Sequence, residues 1–232
     1  MEVTTIGASG SKVLRCLLAA LIALSSVIGC LAVPGQSAFA SETASLSIGG
    51  KIPYAGYTTT WMYADSEMAY CGNPSAATPP SGTYTKSAIS SISGRDAETI
   101  ADLWFSYGSP GFDASLWPST WYDGTAMTDA RYAALAHILL SDTFSSNGNY
   151  ALYGCNESFK EWCRYNVIGF DSSGTMCNDD ATGRKISRMQ GEVPSNFEAF
   201  MLYTGAGNQL ILSFKYTPYG KIDLLKVTAN EE

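Results

Sequence analysis

Two side chains of this sequence are best suited to covalent chemistry, the thiol of Cys71 and the imidazole of His137. Cys71 ends a short alternating segment, in which Glu67, Ala69 and Cys71 share one face, and a Gly-Asn-Pro turn follows it directly. Prolines and a Ser-Gly turn keep the next loop stiff without a helix. The thiol is therefore expected at a strand end beside preorganised backbone, where it could act as a nucleophile or form a disulfide.

His137 is the only histidine of the chain, and it lies in a predicted helix whose N-terminal cap is Thr128. It falls at helical spacing from Ala130, Ala133 and Ala134, a small-residue face that lets another element approach closely. This spacing favours a packed, hydrogen-bonded histidine over a catalytic one. Because no carboxylates stand at ligand spacing around it, we expect neither a metal site nor a cofactor.

The elements that must position these residues are strands at both ends and helices between them. Alternating aromatic and threonine residues are typical of antiparallel sheet, and apolar residues at helical spacing indicate amphipathic helices. The predicted strands span 57–63, 67–71, 197–203 and 209–216. The first predicted helix follows a capping box at residues 93–96, with Ser93 as its cap, and ends at Gly108, and the other two helices span 129–140 and 157–164. The prediction is an α+β fold: an antiparallel β-sandwich or barrel-like body formed by early and late strands, with the helices of residues 93–165 inserted as a subdomain.

Gln209 begins the last of these strands. It lies on the face opposite Leu210, Leu212 and Phe214, which are expected to be buried. From the alternation alone, Gln209 is a solvated residue at a strand start.

The first 40 residues are typical of a signal peptide. Lys12 and Arg15 precede an apolar run over 16–33, and Ala38-Phe39-Ala40 is a cleavage signal. An uncleaved anchor and a lipid on Cys30 are the alternatives. We expect a secreted or cell-surface (cell wall) protein that meets the membrane only through its signal or anchor.

Export leaves four cysteines in an oxidising compartment, where disulfides are possible: Cys71, Cys155, Cys163 and Cys177. A pair among the last three would hold the polar loop at 171–183 in place. Sequence alone leaves the pairing open and allows a free thiol. The formal net charge of −7, without a basic cluster, argues against nucleic acid or an anionic membrane as a partner.

The predicted organisation has four parts: a signal peptide at 1–40, a small polar leader at 41–56, one domain at 57–217, and at 218–232 a linker followed by the first strand of a further domain.

A Tyr-Cys strand end, a central helix and a terminal Gln-Leu-Ile-Leu strand, in this order, resemble the thioester domains of Gram-positive surface adhesins, although the motif of the central helix departs from the family pattern. In that family a Tyr-Cys motif supplies a sulfur, a helix carries Thr-Gln-x-Ala, and a glutamine before apolar strand residues supplies an acyl group. Tyr70-Cys71 matches the first motif and Gln209-Leu-Ile-Leu212 the last. Ala136-His-Ile-Leu139 stands at the middle motif, so His137 takes the place of the glutamine.

Other segments resemble actinobacterial and clostridial variants of the family, among them Tyr107-Gly-Ser-Pro-Gly111 and Val193-Pro-Ser-Asn-Phe197. Residues 221–230 are similar to the first strand of a Cna B-type stalk domain, in which a lysine such as Lys226 forms an isopeptide bond; the partners of that bond are missing from this sequence.

The resemblance implies an internal thioester between Cys71 and Gln209 that reacts with an amine of a host surface or matrix protein, expected to be a lysine. Because the acyl group stays on its target, the domain would act once and would not be an enzyme. His137 would accept a proton from the thiol or from the attacking amine. The chain would be the monomeric tip of a longer adhesin.

Hydrolysis competes with the amine, so water must be kept out. The aromatic-rich loop from Phe112 to Tyr122 is a candidate for that shield or for target contact, although aromatic loops more often cover a core.

Two other functions remain open. A secreted cysteine peptidase or transglutaminase-like enzyme would use Cys71 and His137, but papain-like nucleophiles sit at a helix start rather than after a strand. The second is a non-covalent carbohydrate- or protein-binding β-domain with two disulfides.

Overall fold

An antiparallel barrel of six strands is the body of the computed structural model, which describes residues 42–90, 94–145, 152–169 and 191–218. The strands lie around the barrel in the order β1-β2-β3-β6-β5-β4. They are β1 (Thr43–Tyr54), β2 (Tyr57–Ala64), β3 (Glu67–Cys71), β4 (Gly82–Ala88), β5 (Phe197–Tyr203) and β6 (Ile211–Tyr216). The predicted α+β class is confirmed, and of the two bodies it allowed, the barrel is the one found.

Between β4 and β5 the chain forms α1 (Gly94–Phe105), α2 (Asp129–Ser145) and α3 (Glu157–Cys163), with a 3₁₀ turn at Ala114–Leu116 and a π-helical turn at Arg164–Ile168. Two predicted caps are present: the Thr128 hydroxyl accepts from the Arg131 N–H at 3.3 Å, and the Asn156 side chain accepts from the Phe159 N–H at 2.9 Å. The predicted helical insertion is confirmed. None of the described helices is both long enough and apolar enough to cross a membrane.

Residues 41–56 were expected to be a loose leader, and that expectation is wrong for residues 43–54. They form β1, which pairs with β2 on one side and with β4 on the other. The two glycines that suggested looseness, Gly49 and Gly50, lie where the β1–β2 register shifts between Ile48 and Lys51, as in a β-bulge. A Cβ added at Gly49 would lie 3.1 Å from the Cβ of Trp61, so the close approach of β2 favours glycine there.

Alternating residues of β3 and β6 enter two different cores. Ala69, Cys71 and Ile211 face the barrel interior, while Tyr70 and Leu212 pack outward against the helices. Sequence alternation predicted one buried and one solvated face for β6, but Ile211 is also fully buried. The prediction failed because the sheet closes on itself and the helices cover its outer side here, so both faces of the strand are buried.

Several predictions fall outside the described residues: the signal peptide, the helix cap at Ser93, the disulfide candidate Cys177, and the chain from Tyr219 onward, with Lys226.

Candidate functional site

Strand pairing places Cys71 and Gln209 close together although 138 positions separate them in sequence. Cys71 pairs with Ile211, and the Gly72 N–H donates to the Leu210 carbonyl at 2.8 Å, which extends the ladder one residue beyond β6. Strand β6 begins two residues after Gln209, later than predicted, and the same alternation continued back from Ile211 puts Gln209 on the face of Ile211 and Cys71. Diagonal neighbours of this kind are about 7–8 Å apart at Cα, within reach of a long side chain.

All three predicted site residues, Cys71, His137 and Gln209, line one cavity of about 120 Å³. The rest of its wall comes from the end of β1, the start of β2, the loop after Cys71, and α2 from Ile138 to Ser141. The barrel end, the loop and helix α2 therefore bring a thiol, an imidazole and a carboxamide together.

Gln209 is only 7% exposed, so the expectation of a solvated strand-start residue is wrong. The loop that follows Cys71 folds over it: the Gln209 N–H donates to the Ala77 carbonyl at 2.9 Å, and its side-chain Nε2 donates to the Ala76 carbonyl at 3.0 Å. The Leu210 N–H donates to Asn73 Oδ1 at 2.6 Å. Oε1 of Gln209 is buried and has no hydrogen-bond partner among the described residues. The carboxamide is thus held through its nitrogen, and its oxygen is left without a partner.

Cys71 is a free thiol that is 6% exposed. Burial raises the pKa of the Cys71 thiol to about 12, although the Thr59 side chain and the backbone of Cys71 itself act to lower it. The sulfur is therefore protonated at neutral pH. A reactive thiolate of the kind that cysteine peptidases use is not present in this environment.

Cys155 and Cys163 are also buried free thiols, so they are not bonded to each other. Burial raises the pKa of Cys155 to about 11 and that of Cys163 well above its ordinary value. Because Cys71 is free, the structure does not support the two-disulfide form of the chain.

His137 is 3% exposed, and its Nδ1 accepts a hydrogen bond from the Cys71 backbone N–H at 3.1 Å. Burial lowers the pKa of His137 to about 4, with the Thr60 backbone acting in the opposite direction. The imidazole is therefore neutral at physiological pH. This is the packed, hydrogen-bonded histidine that helical spacing favoured.

The tyrosine of the Tyr-Cys motif fixes the strand below the site. Tyr70 is fully buried, and its hydroxyl donates to the Tyr107 carbonyl just after α1. Its ring meets the His137 ring edge-on, with 5.3 Å between the centroids. Tyr70 therefore joins β3 to the helical layer at the level of Cys71.

Sequence reasoning missed two residues of the site, Ser141 and Asn73. Ser141 lies one helical turn after His137, and its hydroxyl donates to the Cys71 carbonyl at 2.8 Å. Helix α2 thus contacts both polar groups of the Cys71 backbone. The i, i+4 spacing from His137 could have identified Ser141, and the position of Asn73 in the turn after Cys71 could have identified Asn73.

The loop from Phe112 to Tyr122 contributes no residue to the cavity wall. Trp117 and Trp121 are buried in the helical core, and Phe112 packs edge-on against Tyr132. The expectation that this loop shields the site is wrong, because its aromatic rings cover the helices instead, whereas its contact with the target stays a prediction.

Two solved structures are among those similar to this chain. The N-terminal domain of the Streptococcus pyogenes pilus tip adhesin Cpa is 12% identical over 79% of this chain and 98% of that chain, with a TM-score of 0.49. The N-terminal thioester domain of a surface protein from Clostridium perfringens is 13% identical over 76% of this chain and 100% of that chain, with a TM-score of 0.46. No curated protein matches the chain.

The family model described as "Thioester domain" matches residues 43–169, which is more than half of the chain. The matched range starts at β1 and contains Cys71 and His137; Gln209 lies beyond its end. The chain belongs to the thioester domain family.

Proposed function

We propose that this domain forms an internal thioester between Cys71 Sγ and Gln209 Cδ, and that the thioester binds the protein covalently to an amine of a host surface ligand. The observation that supports this most directly is the shared cavity: a buried thiol at the end of β3 and a buried carboxamide two residues before β6 both line it. Family membership supports the same chemistry independently.

Formation of the bond is redox-neutral and needs no cofactor. The Sγ–Cδ bond forms, the bond between Cδ and Nε2 of Gln209 breaks, and the thiol proton leaves on the departing ammonia. In the second step an amine attacks Cδ, the Sγ–Cδ bond breaks, and a proton of the amine passes to the Cys71 sulfur. The product is an amide between Gln209 and the target, with the thiol restored.

Two features of the site favour this chemistry. Both side chains are more than nine-tenths buried, which limits the water that would hydrolyse the thioester. Both are also held by their surroundings, Cys71 through its backbone and Gln209 through the loop, so little freedom remains to be lost when the bond forms.

The target amine would be a protein lysine, and the protein would act as an adhesin at the cell surface. The acyl group remains on the target, so the reaction occurs once and the domain is not an enzyme. Residues 1–40 would direct export, and residues 218–232 would lead from a monomeric tip domain into a Cna B-type stalk of a longer adhesin. No nucleic acid, metal or cofactor takes part.

The cysteine peptidase alternative is less well supported. Such an enzyme needs an imidazole that takes the proton of the thiol, whereas Nδ1 of His137 accepts from the backbone N–H of Cys71.

Intact-mass measurement of the exported domain tests the proposal. We expect the wild-type mass to be one ammonia lower than the sequence mass, and we expect the full mass in Cys71→Ala and Gln209→Ala. Cys163→Ala is the matched control, because it removes another buried thiol outside the cavity and should keep the deficit. Methylamine should convert the deficit into a methylamide on Gln209. A folded wild type with full mass and no deamidated Gln209 would refute the proposal.

A further inference from the structure

We propose that His137 is a hydrogen-bond donor to the thioester carbonyl oxygen, acting through Nε2–H when an amine attacks. This inference rests on the proposed thioester and names the group that stabilises its reaction. It differs from the proton-acceptor role that the sequence predicted for the same residue.

The hydrogen bond from the Cys71 N–H determines which nitrogen of His137 holds the proton. A backbone N–H can only donate, so Nδ1 must be the acceptor. A neutral imidazole has one acceptor and one donor nitrogen, and its proton therefore lies on Nε2. Burial, which keeps the ring neutral, excludes a second proton at neutral pH.

Two buried polar atoms of the cavity residues, Nε2 of His137 and Oε1 of Gln209, make no well-formed hydrogen bond among the described residues, although the Thr60 backbone lies near enough to His137 to act against the lowering of its pKa. The first is a donor because of its tautomer, and the second is an acceptor. Leaving a buried donor or acceptor unpaired costs about 1–3 kcal/mol, so such groups call for an explanation. A cavity of about 120 Å³ has room for the two groups to meet directly or through a water molecule.

The chemistry needs a donor at this oxygen. When the thioester forms, Oε1 of Gln209 becomes its carbonyl oxygen, and amine attack at Cδ moves electrons onto it. A preorganised N–H stabilises that charge more in a dry site than in water. Collapse of the adduct expels the Cys71 sulfur, which takes the proton of the amine. His137 begins and ends the reaction with its one proton on Nε2.

A proton-acceptor role would require a different state of the ring. His137 would have to release the Cys71 N–H or become a buried cation, and both are unfavourable here.

The tautomer can be measured without any thioester. Nitrogen-15 NMR of Cys71→Ala, labelled at its single histidine, reports both ring nitrogens, and this variant keeps the backbone N–H that Nδ1 accepts from. We expect Nε2 to be protonated, Nδ1 to be unprotonated, and neither signal to titrate between about pH 5.5 and 8. A proton on Nδ1, or titration near neutrality, would overturn the proposal.

Two variants of His137 test the donor itself. His137→Asn places an acceptor where Nδ1 lies and has no group at Nε2, whereas His137→Gln places an amide N–H near Nε2. We expect methylamine to react about 10²-fold more slowly with the Asn variant and expect the Gln variant to recover part of that loss. A mass measurement first confirms that each variant carries the thioester.

The outcomes separate the two proposals. A wild-type domain without the ammonia deficit refutes the thioester, whatever the tautomer is. If the Asn variant carries the thioester and reacts at the wild-type rate, the donor role is refuted and the thioester is not. The same holds if the Gln variant reacts as slowly as the Asn variant. If the Asn variant fails to form the bond, the NMR measurement still decides the tautomer on which the donor role depends.

Discussion

Acid should destabilise this domain through His137, because burial lowers the pKa of His137 from its ordinary 6.5 to about 4. In the unfolded chain the ring takes up its proton first as the pH falls, so protonation favours unfolding. The loss of free energy of unfolding begins below about pH 6.5, grows as the pH falls, and is complete below about pH 4. One pKa unit corresponds to about 1.4 kcal/mol, so the full loss is about 3 kcal/mol.

Urea unfolding from pH 4 to 7 measures this loss when Cys71→Ala is compared with the double variant Cys71→Ala, His137→Asn. Removing Cys71 prevents a thioester cross-link from complicating the transition. The carboxylates titrate alike in both proteins and cancel in the difference, and Tyr70 stays protonated because burial raises its pKa. We expect the difference in free energy of unfolding to be constant near pH 7 and to shrink by about 3 kcal/mol toward pH 4, since only the protein that retains His137 loses this stability.

Parallel stability curves for the two proteins over this range would refute the reasoning. They would mean that the folded protein binds the His137 proton as readily as the unfolded chain does, and hence that the ring is neither dry nor engaged through Nδ1.

Two further predictions concern the loop and the turns that hold the site. Asn73→Ala removes the acceptor of the half-buried Leu210 N–H, so it should cost about 1 kcal/mol of stability and slow thioester formation severalfold in a mass time course. Asn208→Ala loses only a hydrogen bond to the nearby Thr204 carbonyl and should form the thioester at the normal rate. Equal rates of thioester formation in the two variants would contradict this. Gly108→Ala and Gly124→Ala both place alanine at positive φ, at a cost of about 1–2 kcal/mol each. Only the alanine at position 108 would overlap a side chain of β3, that of Met68, so Gly108→Ala should lower the melting temperature more than Gly124→Ala does. Equal decreases would show that the Met68 side chain moves aside freely.

Local patterns in the sequence predicted much of the fold. Alternating aromatic and threonine residues predicted β2, and caps at Thr128 and Asn156 predicted the starts of α2 and α3. These signals depend on neighbours in sequence, which the chain shows directly. Strand β1 was missed because its glycines suggest a loose segment unless the close approach of Trp61 is known.

The candidate site was only half predictable from the residues themselves. Cys71 stood out because a rigid turn follows it, but nothing near Gln209 distinguishes it from a solvated residue. Its burial comes from a loop more than 130 positions earlier, which bonds its main chain and its side chain. Only the family resemblance pointed to Gln209, because periodicity contains no information about partners so distant.

The proposed thioester pair is held mainly through groups that do not react, so the barrel does not depend on the reacting atoms for its own stability. Helix α2 hydrogen-bonds the backbone of Cys71, because Nδ1 of His137 accepts from its N–H and the Ser141 hydroxyl donates to its carbonyl. The sulfur takes no part in these two hydrogen bonds. Gln209 is held at its main chain and at the amide nitrogen, which would leave as ammonia in the proposed reaction, so forming the bond would cost one side-chain contact and keep the rest. A site held in this way would keep the Cys71 sulfur and the Gln209 acyl group at a high effective concentration both before and after the proposed thioester forms.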